Sequence, residues 1–249
     1  MDNFRPTCGS FAPVNNQSER ILKNRGFAFV GVSPFNSYFS VETIFNILYN
    51  TRQNFDDFAI FIPDKISYFT LKAQGYEDNR IKHKIRKQEN YLINRVKKAL
   101  DYLYGEESGP KHYNKIILLS EIEKIAKYQE VYNECIEIFN QDETFKNGCL
   151  QTSEWVLASG HKLTEEEISM DAKNIAVEYF LRELPLFLKA PEILGVDSCT
   201  FIYRVIPSFL KEIYDRYPLT SVNQGFSCFV ENENRSQILT TFSLSEARL

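Results

Sequence analysis

Histidine is scarce in this chain: His83, His112 and His161 are the only three in 249 residues. With neither a Cys-x-x-Cys nor a His-Glu-x-x-His pattern beside them, the donor spacings of a structural or catalytic metal site are missing, and no metal is expected. The five cysteines (Cys8, Cys135, Cys149, Cys199 and Cys228) are odd in number and far apart. They make a poor disulfide framework and point to a reducing, cytoplasmic setting. No apolar run is long enough to cross a bilayer, so no membrane partner is expected. The residues from Met1 to Pro6 lack a basic stretch followed by an apolar one, so no secretory signal is read. Glycine-rich phosphate loops are missing as well: neither GxGxxG nor GxxxxGK[ST] occurs, and no nucleotide or dinucleotide cofactor is expected.

What the chain does have is a segregated charge. Arg80, Lys82, Lys84, Arg86, Lys87, Arg95, Lys97 and Lys98 lie within nineteen residues, with Glu89 the only acid among them. That segment carries net +7 in a chain of net charge −4, which leaves −11 for the remainder. An acidic body with one basic helix repels a polyanion everywhere but at one place, the arrangement of a directed nucleic-acid contact. A merely solvated helix face would carry more acids to pair with its cations.

Hydrophobic periodicity places the elements. Phe27-Ala28-Phe29-Val30 reads as a buried strand running to Ser33, Phe58–Ile62 as a second and Lys115–Ser120 as a third. Short strands are expected near Thr200–Tyr203 and Phe226–Val230. Helices are expected over 41–48 with Ser40 as N-cap, 66–73, 79–104, 121–140, 141–158, 163–189 and 207–216. The basic helix carries an inner stripe of Ile81, Ile85, Leu92, Val96 and Leu100. Strands alternating with helices predict an α/β fold with a mainly parallel sheet. Without repeats or long linkers, one domain over 21–240 is the simplest division, with residues 1–20 as a loose, flexible lead-in. Trp155 and the many phenylalanines need no explanation beyond core packing.

Three groups can carry chemistry. Ser33, in Gly31-Val32-Ser33-Pro34-Phe35-Asn36-Ser37, sits at the carboxyl end of the first apolar strand, where open α/β sheets place their ligands. Pro34 ends the strand, and Gly31 keeps bulk away from the serine. The same pattern also fits a polar strand-end turn. Phe35 replaces the glycine of GxSxG, which disfavours a hydrolase elbow, and no His-Asp arrangement supports one. The second group is Tyr179-Phe180-Leu181-Arg182-Glu183-Leu184-Pro185. Tyr179 and Glu183 share a helix face, and Ile175, Ala176, Val177, Phe180, Leu181, Leu184, Leu186 and Phe187 make that helix apolar nearly all round. A carboxyl group there is pushed toward the pKa range useful for proton transfer. A core Tyr–Glu hydrogen bond with Arg182 as exposed counter-charge is the plainer alternative. The third is Tyr203, at the end of the apolar run Phe201-Ile202.

Together these motifs resemble the cyclodipeptide synthase family. The match rests on Gly31–Ser37, Tyr179–Pro185, Tyr203 and Lys84-Ile85-Arg86-Lys87, and spans roughly residues 25–205. The resemblance implies a Rossmann-like fold similar to the catalytic domain of tyrosyl- and tryptophanyl-tRNA synthetases, without their HIGH-type ATP signature. It also implies that two aminoacyl-tRNAs are used in sequence, with no cofactor, to form a 2,5-diketopiperazine. On matching positions Ser33 would be the nucleophile, Tyr179 and Glu183 would hold the aminoacyl amine, Glu183 would also move protons, and Tyr203 would act in cyclisation. Asn36 and the eight cations would contact substrate and tRNA, and Phe29, Gly31, Leu186 and Phe201 would line the first aminoacyl pocket. At the positions of Asn36, Tyr203 and Arg204 one family branch has Asn-Tyr-His and the other a non-Asn residue with Tyr-Pro. Arg204 fits neither, and a guanidinium releases no proton near neutrality. A tRNA-binding protein that has lost its chemistry is the alternative from another class. It would keep the basic helix without needing Ser33, Tyr179 and Glu183 together.

Overall fold

In the computed structural model, which describes residues 6–160, 168–217 and 219–231, one sheet organises the chain. Its strands are β1 (Gly9–Pro13), β2 (Phe27–Gly31), β3 (Asp57–Ile62), β4 (Ile116–Leu118), β5 (Cys199–Tyr203) and β6 (Gln224–Glu231). They lie in the order β1-β6-β5-β2-β3-β4, parallel throughout except where β1 runs antiparallel to β6. The chain leaves β2 toward β3 and β4 on one side, then returns to place β5 on the other. The carboxyl ends of β2 and β5 therefore flank the point where the strand order reverses, which is where such sheets open a crevice.

Side-chain alternation along the strands feeds two apolar layers. Phe29, Phe61, Phe201 and Phe226 face one layer, covered by α6 (Ala126–Gln141), α7 (Glu143–Gly160), α8 (Met170–Leu194) and α9 (Ser208–Arg216). Ala28, Val30, Val32, Phe58, Ile60 and Ile62 face the other, covered by α2 (Val41–Asn54) and α4 (Asp78–Tyr104), with the short α3 (Ser67–Ala73) preceding α4 in the chain. Ser40 caps α2, its Oγ accepting from the Thr43 N–H at 3.0 Å. The whole expected stripe of α4, from Ile81 to Leu100, is buried. Among the described residues no helix is long and apolar enough to cross a membrane.

Several boundaries differ from the sequence expectation, each for a local reason. Residues 9–23 are not a loose lead-in. They form β1 and α1 (Asn16–Lys23), with Asn46 and Asn50 of α2 accepting from the Thr7 and Gly9 N–H groups at 3.2 and 3.1 Å. The third strand stops at Leu118 because Asp64 Oδ1 accepts from the Ser120 N–H at 2.8 Å and turns the chain into the short α5 (Leu119–Ile122). The helix expected over 121–140 is therefore broken before α6. Helix α8 is described from Met170, so residues 163–167 of the expected helix lie outside the described residues. It runs past 189 to Leu194, and the expected end is instead a kink, with Lys189 at φ −139°. Pro191 has no N–H for the Phe187 carbonyl, and the Tyr214 hydroxyl donates to that carbonyl instead. Trp155 is not a core residue but 44% exposed, and Ile175 is exposed as well.

Candidate active site

The crevice floor is built by three segments. Beyond β2, the Val32 N–H donates to the Phe61 carbonyl at 2.9 Å, after which the chain leaves the ladder into the loop that carries Ser33. Pro34 follows, and Phe35 takes a left-handed φ of 59°, a conformation costly for a residue with a Cβ. The Tyr38 N–H then donates to Asn36 Oδ1 at 3.0 Å, closing the turn that brings the chain to the cap of α2. From the neighbouring strand, Tyr203 reaches across, and its hydroxyl and Ser33 Oγ share a hydrogen bond of 2.6 Å. From α8, Tyr179 stands close enough to Ser33 to interact with its hydroxyl, and Glu183 lies one turn further along the same face. Asn36 also lies within reach of the Tyr203 hydroxyl.

Gly31 has a specific reason to lack a side chain. A Cβ there would stand 3.0 Å from the Phe201 ring and 3.1 Å from the Tyr203 ring. The glycine thus makes room for the two side chains of β5 beside it, rather than for the serine itself. Phe39, which the sequence reading did not single out, packs its fully buried ring 5.7 Å from that of Tyr203.

Electrostatically the floor favours neutral groups. Ser33, Tyr179, Glu183 and Tyr203 keep some solvent contact while protein surrounds most of each side chain. Desolvation raises the carboxyl pKa of Glu183 to about 8, and among the described residues no cation stands within ion-pair distance of it. Burial, followed by the nearby Glu183, lifts Tyr179 well above its ordinary value. Burial is also the main reason that Tyr203 rises to about 12, with bonds to Ser33 and Asn36 and the Arg204 charge acting in the opposite direction. Both phenols are therefore donors at neutral pH. Arg182 is not the exposed counter-charge of Glu183: it bonds Glu178 and Glu123, each at 2.8 Å, and ties α8 to the segment after α5.

The other expected site residues fall into two sets. Phe29, Phe201 and Leu186 are fully buried in the aromatic layer, where Phe29 and Phe201 meet edge to face at 5.6 Å. They reach no solvent here and form an apolar wall beside the crevice. Of the cations on α4, Arg80, Lys82, Arg86, Lys87 and Lys98 are exposed, and Lys84, Arg95 and Lys97 are half-buried. Arg80 and Lys84 hold the two cations 5.0 and 4.7 Å from the Tyr76 ring, and Lys97 lies 5.0 Å from that of Tyr113. Among the described residues none of the eight forms a salt bridge. An open groove beside this face is bounded by Lys65, Tyr68, Lys82, Ile85, Arg86 and Glu89.

The family model for cyclodipeptide synthases matches residues 10–231. The cyclo(L-leucyl-L-leucyl) synthase of Bacillus subtilis strain 168 is 30% identical over 193 residues, covering 76% of this chain and 75% of its own. The crystal structure of a cyclodipeptide synthase from Bacillus thermoamylovorans superposes with a TM-score of 0.81 at 27% identity, covering 90% of this chain and 96% of that one. A Mycobacterium tuberculosis protein whose structure is described as relating cyclodipeptide synthetases to type I tRNA synthetases shares the fold, with a TM-score of 0.77 at 21% identity over 93% of this chain and 99% of that one.

Proposed function

The chain belongs to the cyclodipeptide synthase family, and from that premise we propose that it joins the aminoacyl groups of two aminoacyl-tRNAs, used one after the other, into a 2,5-diketopiperazine by way of an ester on Ser33. The observation that carries this reading is the convergence of Ser33, Tyr203, Tyr179 and Glu183 at the strand-reversal crevice, with Ser33 and Tyr203 bonded at 2.6 Å. A tRNA-binding protein without chemistry has no use for a desolvated carboxyl group beside two tyrosines that reach one serine hydroxyl.

An aminoacyl ester is already activated, so the work required is positioning. Ser33 Oγ attacks the ester carbonyl, the ribose oxygen leaves with the serine proton, and the aminoacyl group rests on Ser33. The amine of that group attacks the carbonyl of the second aminoacyl-tRNA, giving an amide and the second free tRNA. The terminal amine then attacks the Ser33 ester, closing the ring and returning the hydroxyl. Each amine must lose a proton to attack. An α-ammonium has an ordinary pKa of roughly 7.7–8.0, close to the value of about 8 at Glu183. Matched values let the proton move between them at little cost. The basic face of α4 suits the tRNA backbone, because exposed cations that neutralise phosphates release the counterions condensed there. The apolar wall and the leucyl specificity of the relative favour aminoacyl groups with apolar side chains.

Incubation with radiolabelled leucyl-tRNA followed by denaturation tests the covalent step, and mass spectrometry of the reaction tests the product. The expected result is label retained on the wild-type protein and lost in Ser33→Ala, together with a cyclic dipeptide mass. Equal labelling of the variant would remove Ser33 from the reaction.

A further inference from the structure

Arg95 lies in the basic segment by sequence but turns inward by contact. Its side chain is half-buried, and one guanidinium nitrogen donates to the Phe39 carbonyl at 2.8 Å while another donates to the Tyr91 hydroxyl at 2.9 Å. The Tyr91 ring lies 4.1 Å beneath the guanidinium and fixes its plane. The Phe39 carbonyl needs such a partner. The helical ladder of α2 begins one residue later, where the Ser40 carbonyl accepts from Ile44 at 3.0 Å, so the Phe39 carbonyl lies outside it.

The Ser33 loop is therefore tied at two ends. Val32 is bonded to Phe61 at its start, and Phe39 is bonded to Arg95 at its finish. Between them lies the left-handed Phe35, a conformation that persists only where its surroundings enforce it. The Phe39 ring supports Tyr203, which in turn bonds Ser33. A lysine could carry the charge but could not reproduce the fork that reaches a carbonyl and a hydroxyl from one plane.

We propose that Arg95 is a positioning residue: it clamps the Phe39 end of the nucleophile loop and so aligns Ser33 and Tyr203, while the exposed cations of α4 hold tRNA. The part of this that concerns catalysis rests on Ser33 as nucleophile. The clamp itself does not.

The test compares Arg95→Met and Arg95→Lys with Lys98→Met, an exposed cation on the same helix. Deuterium exchange is measured over 33–40, the affinity and salt slope for uncharged tRNA are measured by filter binding, and Ser33 acylation is followed in single turnovers at saturating leucyl-tRNA. For Arg95→Met the expected result is faster exchange at 33–40, acylation at least about 10-fold slower, and tRNA affinity and salt slope unchanged within about two-fold. Arg95→Lys should recover part of the rate. Lys98→Met should leave exchange unchanged, weaken tRNA and lower the salt slope by about one. Should Arg95→Met fail to fold, Tyr91→Phe keeps the ring, removes one of the two hydrogen bonds that hold the guanidinium, and should shift exchange and rate in the same direction by less. The proposal is overturned if the Arg95 variants weaken tRNA as Lys98→Met does while exchange at 33–40 and the saturated rate stay at wild-type values. Exchange needs no substrate, so it decides the clamp even if the wild-type protein forms no ester, an outcome that would count against the nucleophile alone.

Discussion

The crevice floor and the outer face of α4 are built from opposite electrostatic materials. On the floor, Glu183 has no counter-charge among the described residues, two tyrosines are held protonated, and desolvation is the leading influence on each of these groups. On α4, five exposed cations stand in water, and among the described residues no acid forms a salt bridge with any of them. Charge on the floor is costly until a substrate ammonium brings its own counter-ion. Charge on the helix costs little and is screened by salt. The floor should therefore respond to shape and protonation, and the helix to ionic strength. A mutation on one side that produced the signature of the other would break this division.

The largest effects are expected on the floor. Glu183→Gln keeps the shape of the side chain and removes its ability to ionise, so it should impair loading of Ser33 and lower product formation by about 10²–10³-fold, as loss of a preorganised polar group does. Tyr203→Phe deletes the hydroxyl bonded to Ser33. Loading should slow but persist, while ring closure falls further, so acyl-enzyme accumulates as product drops. Denaturing gels with labelled leucyl-tRNA and mass spectrometry of the product separate the two. Normal loading in Glu183→Gln with none in Tyr203→Phe would reverse the assignment.

Next in size is Gly31→Ala, which carries no charge at all. One methyl group at 3.0–3.1 Å from Phe201 and Tyr203 must push one ring aside. Phe201 is wedged among Phe29, Phe61, Phe187 and Phe226, so Tyr203 is the side chain with somewhere to go. The expected result is roughly a 10- to 100-fold loss of turnover with tRNA affinity kept. An active variant would mean that the Ser33–Tyr203 bond is dispensable.

How much of this was legible beforehand follows from the range of the contacts. The parallel strands, the buried stripe of α4 and the cap at Ser40 are local patterns, and they appear in the structure where periodicity and capping put them. Tyr179 and Glu183 share a helix face by spacing alone. Strand β1 was missed because its five residues include a glycine and a proline, and its pairing partner lies more than two hundred residues away. Phe39 and Arg95 were not legible as parts of the loop's support. A hydrophobic residue before a helix and an arginine in a basic run look ordinary until the fold brings them together. Phe29, Leu186 and Phe201 were read as lining because they neighbour the motifs in sequence; that they share one apolar layer, with their faces turned into it, needed the fold to show.

On the helix side, reversing Lys82, Arg86 and Lys87 to glutamate should weaken tRNA binding by about 10-fold or more at physiological salt and reduce the slope of log affinity against log salt by about two to three. All three side chains are exposed and lie off the buried stripe, so the melting temperature should hold. Lys84, stacked against Tyr76, is better left in place. Loss of loading at saturating tRNA, with the salt slope unchanged, would move these cations from docking to chemistry.

The smallest effect concerns stability and tests the floor without any substrate. The carboxyl group of Glu183 titrates near 8 in the folded protein, against an ordinary 4.5. Between those values the folded state keeps a proton that the unfolded state has released, so the unfolded state binds fewer protons and stability falls as pH rises through that window. The penalty is absent below the lower value and complete above the upper one, and amounts to a few kcal/mol on the order-of-magnitude scale of one pKa unit per roughly 1.4 kcal/mol. Glu183→Gln removes this proton. Other groups contribute to the pH dependence of both proteins alike, so the quantity to follow is the difference in melting temperature between variant and wild type. That difference should grow by several degrees from pH 5 to pH 8, with the glutamine variant gaining, since each kcal/mol moves the midpoint of a domain this size by about 2–4 °C. Parallel melting curves across that range would mean that Glu183 is ionised in the empty crevice, and the contrast between a neutral floor and a charged helix would then fail at its central residue.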